Sequence, residues 1–236
     1  MNCKELISTI AEEKDFAVYE ISDFNVEDDI FIDFFLCTKD DFEYFIILNI
    51  EFRLIEIVNN LIQVAISTKI RAYLEQNEIC SLNHYFDKNS TLIITTEKPN
   101  SLTSEEVYRV VSTVEENNYY FKKQVLYFTA RELDIFLQNQ SQQNSFTEKC
   151  SSVVSNLSRY EGFLLGLDEE YDFIARLYEK VPFLNLEVEK ENKLNLDNMI
   201  AESLVESEIE LLPELLELQS ESQIDEWIKS IGEAND

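Results

Sequence analysis

Two carboxylates and one guanidinium stand on neighbouring predicted strands, where they could bind a metal ion. Asp33 lies in one strand, and Glu51 and Arg53 end the next one. Two such carboxylates can hold Mg²⁺, and a nearby cation can steady the attacking water of a hydrolysis. A lysine would suit that role better, because an arginine cannot give up a proton. Isolated carboxylates are also common on half-exposed sheets, so we expect solvent-facing charges here.

Other catalytic and metal-binding patterns find little support in the sequence. His84 is the only histidine, and no Ser or Cys motif lies near it to build a triad or a zinc site. The acidic residues between positions 23 and 29 lack the spacing and the glycine of an EF-hand loop. Three glycines are too few for a phosphate-binding loop. We therefore predict no catalytic residues, no metal and no cofactor.

The tail of the chain carries a different kind of candidate site. Residues 201–236 contain eleven carboxylates and one amine, yet apolar residues recur through them. Four of these apolar residues have the spacing i, i+3, i+4 and i+7, which places them on one face of a helix: Ile224, Trp227, Ile228 and Ile231. Because tryptophan is a frequent interface anchor, we expect this acidic amphipathic helix to bind a partner protein. The alternative is that it folds back and Trp227 joins the core.

A second candidate contact lies in the aromatic segment that contains Tyr120, Lys122 and Lys123. In a strand, successive side chains point to opposite faces, so at least one lysine should face outward. We predict a partner contact at these three residues. Surface placement without a specific role is the alternative.

The charge balance limits the possible partners. Forty-seven acidic and nineteen basic residues give a net charge of −28 and a pI near 4.2. A nucleic-acid backbone would be repelled at long range, which argues against direct binding of DNA over a broad surface. The acidity serves either solubility alone or complementarity to a basic partner subunit.

A cytoplasmic location is expected from the cysteines and the hydropathy. Cys3, Cys37, Cys80 and Cys150 form no CxxC pair, and Cys37 follows an apolar strand-like run typical of a buried thiol. The N-terminus is charged, and no apolar run approaches the length of a membrane span.

The hydrophobic periodicity predicts an α+β fold. We expect an N-terminal mixed, mainly antiparallel sheet with packed helices, followed by a mostly helical C-terminal region. The predicted order is a helix (2–14), three strands (16–21, 30–37 and 42–52), a helix (53–76), a strand (91–96), a helix from 103, a strand (119–128) and a helix (129–138). The predicted domains are an α+β domain at 1–138, a polar linker at 139–151 and a helical region at 152–236 that ends in the acidic tail.

Helix, three strands, helix and strand is also the layout of restriction-endonuclease-like cores. Such cores place an Asp on one strand and a Glu-x-Lys on the next, and these positions would fall here on Asp33, Glu51 and Arg53. A divergent metal-dependent nuclease is therefore an alternative function.

Two stretches resemble a known family. Residues 87–97 (DKNSTLIITTE) and 113–129 (TVEENNYYFKKQVLYFT) resemble the middle component of ABC-three component bacterial defence systems, Lamassu among them. In that family a strand follows an Asp-Lys-Asn turn. A helix then ends in an acidic pair, here Glu115 and Glu116, ahead of an aromatic-Lys-Lys strand.

The resemblance implies a non-enzymatic accessory subunit in a complex that acts against phages. Its partners would be an SMC/Rad50-like ATPase and a nuclease-type effector, which is held inactive until phage DNA is sensed. Contact with DNA would be indirect, and no membrane is involved. A third possibility is an acidic inhibitor that mimics the charge of DNA.

Overall fold

In the computed structural model, which describes residues 1–27, 30–39, 43–59, 62–77, 86–138, 145–186, 223–225 and 227, a five-stranded mixed sheet forms the centre of the fold. The strands lie side by side in chain order: β1 (Ala17–Glu27), β2 (Ile30–Lys39), β3 (Glu43–Asn49), β4 (Ser90–Glu97) and β5 (Lys122–Phe128). β2 is antiparallel to both of its neighbours, whereas β3, β4 and β5 run parallel.

Helices cover both faces of this sheet. The described helices are α1 (Cys3–Glu13), a 3₁₀ helix (Phe52–Asn59), α2 (Ile62–Gln76), α3 (Phe86–Asn89), α4 (Ser104–Glu115), α5 (Ala130–Gln138), α6 (Phe146–Val154), α7 (Leu157–Leu164) and α8 (Glu169–Lys180). One core lies between the sheet and α1, α5, α6 and α8, and the other lies under the 3₁₀ helix, α2, α3 and α4.

Successive side chains of a strand point to opposite faces of the sheet and so contribute to the two cores in turn. Ile47 and Ile93 point to the first, whereas Ile46 and Leu92 point to the second, and all four are fully buried. A strand that is buried on both faces reads as a continuous apolar run, and this explains the apolar stretches of β3 and β4.

Helix starts follow the capping chemistry that the sequence predicts. The backbone N–H of Glu106 donates to the Thr103 hydroxyl, and the Glu106 carboxylate accepts the N–H of Thr103. The same reciprocal pair joins Thr129 and Glu132 at the start of α5. Both helices therefore begin with a capping box, a pattern that Thr103-x-x-Glu106 and Thr129-x-x-Glu132 already show in the sequence.

The predicted α+β class and the order of the sheet elements are confirmed. Two details differ: the predicted helix at 53–76 consists of the 3₁₀ helix and α2, and the sheet has as many parallel as antiparallel pairings, not mainly antiparallel ones. β4 and β5 follow crossover helices, and a crossover returns the chain parallel to the preceding strand.

The chain divides into two compact units, 1–186 and 187–236. The first unit extends past the predicted linker at 139–151, of which positions 145–151 lie in the cap and body of α6. Phe146 and Cys150 are buried beside α1 and α8, and the Glu13 carboxylate accepts the N–H of Phe146 at 2.8 Å. Polar composition suggested a linker, but these two apolar side chains anchor a packed helix. Positions 139–144 lie outside the described residues.

None of the described helices combines the length and the apolar character that a membrane span requires.

Candidate partner interface

The residues of the possible nuclease site lie at one end of the sheet. The register that pairs Phe34 with Leu48 brings the start of β2, with Asp33, next to the end of β3, beyond which Glu51 and Arg53 follow. All three side chains are exposed, and Arg53 Nε donates to Glu51 Oε2 at 2.5 Å. Among the described residues, no group of three or more His, Cys, Asp or Glu side chains could hold a metal ion.

The described cysteines are buried thiols of low reactivity. Burial raises the pKa of Cys37 and Cys150 to about 12, and it raises the pKa of Cys3 still further. Because the thiolate is the nucleophilic form, these thiols are inert at neutral pH. The predicted burial of Cys37 is confirmed. Cys80 and His84 lie outside the described residues.

Lys123 lies inside the fold, which does not fit the predicted partner contact. Only 2% of the residue is exposed, and its ammonium donates to the carbonyls of Asn117, Tyr119 and Phe121 at 2.7, 2.7 and 3.0 Å. Burial lowers the pKa of Lys123, but three acceptors compensate the charge. Lys123 thus holds the turn before β5 in place.

The other two residues of that prediction lie nearer the surface. Lys122 is exposed, and Tyr120 is half-buried with its ring edge-on to Phe121 at 4.9 Å. Tyr120 also adopts a positive φ of 64°, which a non-glycine residue rarely does, in the turn that Lys123 holds. Side chains alternate between the two faces of a strand, and Lys123 therefore lies on the same face as the buried Phe121 and Val125. The predicted partner contact did not take this signal for the burial of Lys123 into account.

Charged side chains bond the edge of β5 that pairs with none of the described strands, and we call this group the β5 edge. The N–H of Val125 donates to the Glu115 carboxylate at 2.8 Å, and Arg176 donates to the carbonyl of Tyr127 at 2.7 Å. Lys180 donates to Glu115 at 2.9 Å. Since α4 and α8 cover opposite faces of the sheet, the Glu115–Lys180 pair links the two layers around its edge.

The basic side chains of the β5 edge, Lys180 and Arg176, pair with acidic side chains. Burial alone would lower the pKa of Lys180, but hydrogen bonds to Glu115 and Glu179 outweigh it and raise that pKa. Arg176 also bonds Glu132 at 2.5 Å and stacks over the Tyr127 ring at 5.0 Å. A cavity of about 250 Å³ lies beside these groups. Side chains thus form hydrogen bonds with two β5 backbone groups, the Val125 N–H and the Tyr127 carbonyl, that an added strand would need.

A cluster of ion pairs fixes α7 on the rest of the unit. Arg159 makes two hydrogen bonds of 2.7 Å to Asp168, and it approaches Glu170 at 2.9 Å. Glu170 in turn pairs with Lys149 at 2.9 Å, and both side chains are almost fully buried. The hydrogen bond from Arg159 is the main reason why the pKa of Asp168 lies below its ordinary value.

Helix α7 and the turn after it present an apolar surface that the predicted helical region at 152–236 did not identify. Every residue of α7, all of which the structure describes, is half-buried or exposed. Four leucines with exposures between 63% and 77% form what we call the α7 leucine surface: Leu157, Leu164, Leu165 and Leu167. Large exposed apolar patches are frequent at interaction sites. The apolar run beside Gly166 was the available signal.

The predicted tail helix is described at four positions. Gln223, Ile224, Asp225 and Trp227 are helical, which agrees with the spacing expected there. Ile224 is 42% exposed and Trp227 is half-buried. Ile228 and Ile231 lie outside the described residues, so the partner contact of this helix stays a prediction.

The chain matches a known family over part of its length. The model of the family described as "ABC-three component (ABC-3C) system Middle Component 1" matches residues 43–152, which run from β3 into α6. Comparison with curated proteins and with solved structures gave no match. The matched region contains both stretches on which the resemblance rested. The resemblance is thereby confirmed: over residues 43–152 this chain is similar to Middle Component 1 of ABC-three component systems.

Proposed function

We propose that this chain is a non-catalytic accessory subunit of a cytoplasmic ABC-three component defence complex. It binds the SMC/Rad50-like ATPase of that complex and positions or restrains a nuclease-type effector. The family match supports membership in a system of several components. The bridging role and the identity of the two partners are our proposal.

The observation that carries this proposal is the α7 leucine surface. Two of its leucines lie on α7 and two in the turn that follows, all four are strongly exposed, and the helix is held by Arg159. Leaving apolar area in water has a free-energy cost of about 25 cal/mol per Å². A partner that covers these side chains recovers that free energy.

The charge of the chain favours a protein partner over direct contact with DNA. A net charge of −28 repels phosphate, and a basic subunit is attracted by the same field. Long-range attraction of this kind raises the association rate and weakens with salt. We therefore expect complex formation to slow as the salt concentration rises.

Co-expression of the tagged full-length chain with the ATPase and effector encoded beside it tests the proposal. We expect one complex that contains all three proteins in size-exclusion chromatography with light scattering. If the chain elutes alone while ATPase and effector associate without it, the proposed function is wrong.

A metal-dependent nuclease is the second candidate, because Asp33, Glu51 and Arg53 share one end of the sheet. It predicts DNA cleavage with Mg²⁺ or Mn²⁺ that Glu51→Ala abolishes. We expect no cleavage, since Arg53 cannot accept a proton and is already paired with Glu51. Cleavage that depends on both the metal and Glu51 would favour the nuclease.

A further inference from the structure

We infer that the α7 leucine surface binds an amphipathic helix of a partner protein, in which a lysine or arginine lies among apolar side chains and pairs with Glu161. This inference rests on the proposed function, and it names the docking surface and the chemistry of its occupant. It concerns α7 and the turn after it, which lie just beyond the family match at 43–152.

The geometry of α7 places a carboxylate within its apolar side. At 100° per residue, Leu157, Glu161 and Leu164 lie within about 60° of one another on the helix. Leu165 follows on the same side, one turn after Glu161. All four residues are exposed. A partner that covers the leucines must therefore also meet the Glu161 carboxylate.

An unpaired buried carboxylate would oppose binding, so the partner must supply a cation. The arginine of α7 itself is engaged elsewhere, because Arg159 is bonded to Asp168 and Glu170. A lysine or arginine of the partner helix, flanked by apolar residues, meets both requirements.

The surface is preorganised for such a partner. The Phe163 ring of α7 stacks on Tyr171 with centroids 5.0 Å apart, and the partly exposed Tyr160 ring lies 6.2 Å from that of Phe163. Below this stack, Arg159 fixes the start of α8 through Asp168. Binding therefore need not order the helix first, and this lowers the entropic cost of association.

Charge selects a helix of another protein over two other occupants. A second copy would bring together two chains of net charge −28 and two Glu161 carboxylates. An anionic lipid surface would be repelled in the same way. A basic amphipathic helix is attracted, and its apolar side covers the leucines.

The test compares variants of the full-length chain in the complex with the co-expressed ATPase and effector. Leu164→Glu should raise the dissociation constant of the complex on the order of 100-fold, as expected for the loss of an apolar anchor. Glu161→Lys should raise it on the order of 10-fold, as expected for the loss of an interfacial ion pair. Leu186→Glu and Glu116→Lys are matched controls, because Leu186 and Glu116 are exposed and belong neither to α7 nor to the turn after it. The controls should bind like the wild type.

Several results would overturn the inference. If the complex forms and both α7 variants bind as tightly as the controls, the docking surface is wrong while the proposed function stands. A dimer of the isolated chain that Leu164→Glu dissociates would identify a second copy as the occupant. Binding to phosphatidylcholine vesicles that the same substitution abolishes would identify a membrane. If the wild-type chain forms no complex, the proposed function fails, and the inference fails with it.

Discussion

The β5 edge and the α7 leucine surface differ in whether the groups that could bind another protein are already bonded within the chain. At the β5 edge, Glu115 and Arg176 take backbone groups of Val125 and Tyr127 that could otherwise pair with another strand. At α7, leucines stay exposed although the helix is firmly held. Two backbone groups of β5 are thus occupied by side chains, whereas the leucine side chains stay accessible to a partner.

The two regions should also differ in what mutation does to them. The side chains of Arg176 and Lys180 are only 12% and 13% exposed, so removal of their partners leaves charges in a poorly solvated place. The leucines of α7 contribute little to folding, because they are exposed in the free protein. Stability should therefore depend on the first region and binding on the second.

The largest loss of stability is expected from Arg176→Ala. This substitution removes the donor to the Tyr127 carbonyl and leaves Glu132 without its cation, so the free energy of unfolding should fall by about 3 kcal/mol. Urea denaturation measures the change. Arg109→Ala is the matched control, because its ion pair is exposed and should matter by less than about 0.5 kcal/mol. Equal effects of the two substitutions would mean that the β5 edge is not stabilised as described.

Lys123→Met should have the next largest effect and lower the free energy of unfolding by about 2 kcal/mol, since three carbonyls lose their shared donor. Lys122→Met alters the neighbouring exposed lysine and should leave the free energy of unfolding within about 0.5 kcal/mol of the wild type. The same urea experiment compares the two. A reversed order would contradict the buried, hydrogen-bonded position of Lys123.

Asp168→Asn should produce a smaller loss of about 1 kcal/mol at pH 7, because the ion pair that holds α7 is partly solvated. The folded-state pKa of Asp168 is lowered, chiefly by Arg159, so its contribution is present above the unfolded pKa near 3.9. That contribution disappears as the pH falls through the folded pKa. The variant and the wild type should therefore converge in acid, and a constant difference between pH 7 and pH 2 would contradict this assignment.

The smallest change in stability is expected from Leu164→Glu. Because Leu164 is 63% exposed, the free energy of unfolding should change by less than about 0.5 kcal/mol. A thermal melt of the free protein checks this, and circular dichroism confirms that the helices remain. A large loss of stability would mean that Leu164 belongs to the core, and the contrast between the two regions would disappear.

Local patterns in the sequence predict most of the sheet and many of the helix starts. The capping motifs of Thr103 with Glu106 and of Thr129 with Glu132 predict where the two helices begin. Apolar runs such as the one around Ile93 announce buried strands, although they do not reveal the parallel pairing, which depends on where the crossover helices return the chain.

The candidate sites were harder to predict, because they depend on contacts between distant residues. Glu13 caps α6 from more than 130 positions away, so residues 145–151 resembled a linker. Lys123 is buried because carbonyls of the preceding turn converge on it. The α7 leucine surface consists of residues that a helical pattern alone would assign to a core, and only the folded unit leaves them exposed.

Hydrogen exchange of the free chain and of its complex with the ATPase and effector tests the central claim most directly, namely that α7 is the docking helix. We predict that the amides of residues 157–167 exchange more slowly in the complex, while those of β5 exchange at the same rate in both states. Slower exchange in β5 together with unchanged exchange at 157–167 would contradict the account.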